Sequence, residues 1–158
     1  LTSGAMFVIV GIISAQLGTR KISQLGGIAR KAPVFATLFA IMMLSSVGLP
    51  TTIGFVAELL ILVGLFKTNL VYGIIATTSI VVGAVYMFVV FRKAILQSVG
   101  VVSDKFKEIR AAQMMAFGLV AVIIFVMGLY PKPFLNLVDN TVQSHYEKYI
   151  KSNLKGQE

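Results

Sequence analysis

The chain has 158 residues, 57% of them hydrophobic, with a mean hydropathy of +0.89, which is too apolar for an ordinary soluble domain. Its net charge of +8 is carried between apolar runs, the pattern of membrane-protein loops and not of a nucleic-acid surface. Cysteine is absent and His145 is the one histidine, which excludes thiolate-held iron–sulfur clusters and bis-histidine haem within these residues; no Gly-rich phosphate loop is present either.

Residues 1–17 are uncharged and barely long enough to cross a bilayer. The chain opens at Leu1 on an apolar run already under way by Ala5, without the basic start of a signal peptide. A piece of a longer protein is therefore expected. The next segment, 18–32, carries Arg20, Lys21, Arg30 and Lys31 and no acid. Residues 34–66 then hold a single charge, Glu58. As one helix, this run would reach about 50 Å, against a hydrocarbon core of about 30 Å. Pro50 lacks a backbone donor and clashes with a preceding helical turn. Gly48 and Gly54 flank it, and Thr51 and Thr52 offer hydroxyls to freed backbone groups. The pattern predicts two half-helices, 34–48 and 54–66, broken near 48–54. Such irregular backbone is tolerated at membrane depth only where protein or a water-filled cavity covers it.

Glu58 follows the break. A carboxylate at the centre of a membrane helix costs roughly 2.5 kcal/mol or more, so such residues face cavities or partners and mark ion and proton pathways. Helical spacing puts Glu58 on one face with Gly54, Phe55, Ile61 and Leu62. Gly54 is expected to leave space beside the carboxylate for water or a neighbouring helix. If the acid only packs an assembly, it is a structural ion-pair group instead.

Residues 70–91 and 111–129 carry no charge, and each is long enough to span. In the first, Ser79, Gly83 and Tyr86 share one stripe, which suits close helix packing or a hydrogen-bonded water chain. The second reads as purely structural. Between them, 92–110 carries Arg92, Lys93, Lys105, Lys107 and Arg110 against Asp104 and Glu108, whereas only Lys67 separates spans two and three. Alternate loops are basic, which places 18–32 and 92–110 on the cytoplasmic side. The expected fold is an all-α polytopic bundle over residues 1–130. Tyr130–Pro131–Lys132–Pro133 stops the last span. In the tail, 131–158, Phe134, Val138, Thr141, Val142, His145 and Tyr149 recur at helical spacing, as in an amphipathic helix on a membrane or partner.

Several stretches together resemble a known family. They are Thr19–Arg20–Lys21–Ile22, Leu25–Gly26–Gly27, Ala29 through Phe35, Leu49–Pro50 through Glu58, and Gly128 through Phe134. In order and spacing they are similar to the proton-pumping antiporter-like subunits of respiratory complex I, most closely the chain M branch of NADH–quinone oxidoreductase, chain 4 in mitochondria. The resemblance implies the last third of a subunit with about fourteen helices, span two being the broken helix of an inverted repeat. It implies that Glu58 is the terminal proton carrier of an outward half-channel, since that branch has Glu where its two large siblings have Lys. It implies no cofactor on this chain, with NADH, FMN, iron–sulfur clusters and quinone handled by other subunits, and no catalysis by this chain alone. The implied partners are other membrane-arm subunits, the lipid bilayer and protons, in a bacterial inner membrane or the mitochondrial inner membrane. The family commonly has Gly at the position of Thr51, a small polar residue at Ile53 and Gly at Ala57. Its central membrane lysines and its earlier acid–Lys pair lie upstream of Leu1. The alternatives are a subunit of a multi-subunit Na⁺(K⁺)/H⁺ antiporter, which shares this ancestry, and a non-transporting membrane scaffold.

Overall fold

A computed structural model describes residues 1–97 and 105–136. The regular structure among them is entirely helical: α1 (Thr2–Leu17), α2 (Ile28–Lys31), α3 (Pro33–Ser46), α4 (Ile53–Thr68), α5 (Leu70–Phe91) and α6 (Ala111–Leu129). A 3₁₀ turn, Ile22–Gln24, precedes α2. Beyond Phe91, α5 runs on through Arg92–Leu96, where the Gln97 N–H donates to the Arg92 carbonyl at 2.9 Å, the i→i−5 spacing of a π-turn. Leu70–Leu96 and α6 are long and apolar enough to cross a membrane. Past Pro131, residues 132–136 are helical; the rest of the expected surface helix, with His145 and Tyr149, lies outside the described residues.

Helix ends follow local chemistry. Gly18 ends α1 in the left-handed region at φ 66°, its N–H donating to the Ser14 carbonyl. Pro33 opens α3, a position where its missing donor costs nothing. The remaining first-turn donors of α3 are met from two sides. Val34 and Phe35 N–H groups donate to the two Glu108 carboxylate oxygens at 3.0 Å each, and Ala36 N–H donates to the Ala32 carbonyl. Asn69 caps α5 by accepting from the Val71 N–H at 2.8 Å.

The core runs along α1, α3 and α6 to the end of the bundle where the two basic segments meet. Ile28 and Ala32 of the first segment, Ile95 after α5, Phe35 and Met42 of α3, and Ile124 of α6 are fully buried, with Ile9 nearly so. Phe35 stacks at 5.0 Å on Phe106, and Phe39 meets Phe91 edge-on at 5.4 Å, geometries that favour aromatic pairs. The Gln16 side chain pairs with both backbone groups of Lys107. These contacts put 18–32 and 105–110 at one end of the molecule. By contrast α4 buries no residue fully, and α5 buries only Gly73 and Phe91. Large apolar side chains such as Leu59, Ile75, Val82 and Phe88 stand open along them. A face of this kind is stable in lipid or against other membrane helices, not in water.

Candidate functional site

The site is built on the turn between α3 and α4. Helix α3 ends before Pro50, through a hydrogen-bonded stop. Gly48 N–H donates to the Ser45 carbonyl at 3.3 Å and Leu49 N–H to the Leu44 carbonyl at 2.9 Å, with Gly48 left-handed at φ 77°. This is the Schellman pattern, which needs a residue tolerant of positive φ after the cap. Pro50 therefore lies in the turn after the stop, where it prevents the helix from resuming. Thr52 is fully buried and its hydroxyl donates to the Leu49 carbonyl at 2.6 Å. Of the two threonines, it is the one that satisfies a carbonyl in the turn. Thr51 instead holds φ 82°, the one non-glycine residue at positive φ among the described residues. That region is costly for a β-branched side chain.

Glu58 sits on the second turn of α4 and borders a cavity of about 210 Å³. The last turn of α3 contributes Ser46 and Val47 to this cavity, and α5 contributes Ile80, Gly83, Ala84, Tyr86 and Met87. The volume suits several waters, which need two to four polar partners each. The Glu58 carboxyl, Ser46 hydroxyl and Tyr86 phenol are the polar side chains on its wall. Such an arrangement can exchange a proton between a carboxyl and hydrogen-bonded waters.

The two glycines divide their work. Of the two occupants expected beside Gly54, water or a neighbouring helix, the structure places a helix: an ideal Cβ there would collide with the Ser45 carbonyl oxygen, so its bareness lets α4 start against the last turn of α3. The space beside the acid comes from Gly48, where a Cβ would collide with the Glu58 Oε2 and lie 3.0 Å from its Cδ. Of the α5 stripe, Gly83 and Tyr86 reach the cavity, while Ser79 is exposed and outside its lining. Ser46 was missed by the sequence reading; the polar pair Ser45–Ser46 just before Gly48 is the signal that could have marked it. Among the described residues no cluster of His, Cys, Asp or Glu could hold a metal ion.

Residues 1–83 match the family described as NADH:quinone oxidoreductase/Mrp antiporter, transmembrane. The chain is 37% identical over 150 residues to NADH-quinone oxidoreductase subunit M of Rickettsia typhi, an alignment that takes in 94% of this chain and 30% of that protein. The chain thus spans about a third of the length of such relatives. A chain of respiratory complex I from Thermus thermophilus with bound NADH is similar at 30% identity and a TM-score of 0.75, covering 82% of this chain and 27% of that one. A chain of the Mrp complex from Dietzia sp. DQ12-45-1b superposes with a TM-score of 0.75 at 18% identity, covering 86% and 34% of the two chains, which shows a shared fold.

Proposed function

Because the chain belongs to the NADH:quinone oxidoreductase/Mrp antiporter membrane family, we propose that it is part of a membrane-arm subunit that couples quinone reduction to proton translocation. Glu58 is the proton-carrying group in this reading. Helices α3 and α4 are the halves of one broken span, and α1, α5 and α6 are further spans in a bacterial inner membrane. The chain holds no redox centre; NADH, FMN, iron–sulfur clusters and quinone belong to partner subunits.

The observation that carries the proposal is the placement of Glu58, an acid in an apolar helix, on a cavity beside a hydrogen-bonded helix stop. An intramembrane acid facing a cavity is the usual mark of a proton route. The proton reaches Glu58 from polar groups in the upstream part of the subunit. It leaves through waters held by Ser46 and Tyr86 toward the side opposite the basic segments. A positive charge brought near the carboxyl favours its ionised form, and withdrawal of that charge favours reloading, so a moving upstream lysine drives the cycle. Quinone reduction elsewhere in the complex supplies the work through conformational or electrostatic coupling.

Glu58→Gln in the assembled complex, in native membranes, tests this. The amide keeps the shape and cannot carry the proton, so the protons moved per quinone reduced should fall while the complex still assembles. Glu58→Asp should retain part of the pumping, because a titrating group remains. Wild-type pumping by the Gln variant rejects the proposal and favours a scaffold role.

A further inference from the structure

One contact at the far end of α6 lies outside the site but touches its foundation. An ideal Cβ at Gly128 would collide with the Thr51 carbonyl oxygen, and would lie 2.5 Å from the Thr52 carbonyl carbon and 2.6 Å from that of Thr51. All three atoms are backbone, so no side chain can swing aside. Thr51 is already held at φ 82°, and Thr52 is fully buried with its hydroxyl on Leu49. The 51–52 peptide thus has little freedom to retreat. On the other flank, Gly54 abuts the Ser45 carbonyl. The turn is clamped between α3 and α6, with a bare glycine at each contact.

We infer that Gly128 is a positioning residue for proton transfer: it lets α6 rest on the Thr51–Thr52 peptide and so fixes where α4 begins and where Glu58 meets its cavity. This inference rests on the proposed role of Glu58. The linkage is short. Thr52 precedes the first residue of α4, and Glu58 stands five residues after Ile53 on the same rigid helix, about 7–8 Å along its axis. Its carboxylate already touches Gly48, so a shift of the α4 start changes that contact and the spacing to Ser46 and Tyr86. Misplacement by 1 Å, caused far from the chemistry, can cost roughly a hundredfold in a transfer step. Gly118 offers the internal contrast. It lies on the same helix, and a Cβ there meets nothing within 4 Å.

The test compares Gly128→Ala, Gly118→Ala and Glu58→Gln in the assembled complex in native membranes. It reads the amount of complex formed and the protons moved per quinone reduced. Gly128→Ala should lower that ratio toward the value of Glu58→Gln, and Gly118→Ala should leave it unchanged. Adding Thr51→Gly, which frees the opposing backbone, should recover at least half of the loss. A wild-type ratio for Gly128→Ala alongside a lowered ratio for Glu58→Gln overturns the inference and leaves the role of Glu58 standing. A wild-type ratio for Glu58→Gln overturns both. If Gly128→Ala blocks assembly, the double variant decides: restored assembly supports a clash at the 51–52 peptide, and continued failure refutes it.

Discussion

At the residue scale, the site depends on a glycine that does two things at once. Gly48 ends α3 by accepting a left-handed backbone, and its missing side chain is the space that the Glu58 carboxylate occupies. Alanine at 48 pays a left-handed penalty of about 1–2 kcal/mol and drives its Cβ into the carboxylate. Gly48→Ala should therefore depress proton pumping although Glu58 is intact. Gly64→Ala on α4, where a Cβ meets nothing within 4 Å, should not. Pumping in membrane vesicles separates the two. Glu58 was legible in the sequence because one charge stands out in an apolar run. Its contact with Gly48 was not, because hydrophobic spacing says nothing about which side chain folds back across a turn.

At the element scale, α3 shows how far a helix can depend on a distant residue. Its first turn has no capping side chain of its own. The Glu108 carboxylate, 73 and 74 residues away from Phe35 and Val34 in sequence, accepts from both of their N–H groups and also from Ile109. A carboxylate at a helix N-terminus also meets the positive end of the helix dipole. Glu108→Ala leaves three donors without this acceptor, two of them in the first turn of α3, and should destabilise the fold by about 1–2 kcal/mol. Glu108→Gln keeps an accepting oxygen and should lose less. The order of melting temperatures of the purified complex, wild type above Gln above Ala, checks this. Gly48 marked a helix end in the sequence, because it acts through its own backbone. The Glu108 cap could not be read, since nothing local pairs residue 108 with α3.

At the scale of the whole molecule, Gln16 on Lys107 and Glu108 on α3 tie the second basic segment to the two helices that flank the first. Lys67, on the last turn of α4, is the one charged residue between Glu58 and Arg92. No cysteine occurs in these 158 residues, so a single cysteine placed in them can be compared with the unsubstituted complex as background. Lys21→Cys and Lys105→Cys should react with an impermeant thiol reagent from one side of the membrane, and Lys67→Cys from the other. Labelling of all three from the same side would undo the topology. The open apolar faces of α4 and α5 belong to the same picture, since each suits lipid or further helices of a longer subunit.

The sequence by itself determined the membrane class, the helical character and the single acid that follows Pro50 in its apolar run, and it predicted a break near 48–54. Those properties follow from composition and from backbone chemistry at Gly48 and Pro50. Tertiary structure alone decided which groups surround that acid. Packing brought Tyr86 to the cavity and left Ser79 outside, recruited Ser46, and turned Gly54 and Gly128 into contact points against the backbone of other helices. Contacts of that kind depend on how close two helices come, and a hydrophobic pattern fixes which face is apolar, not how closely that face will be approached.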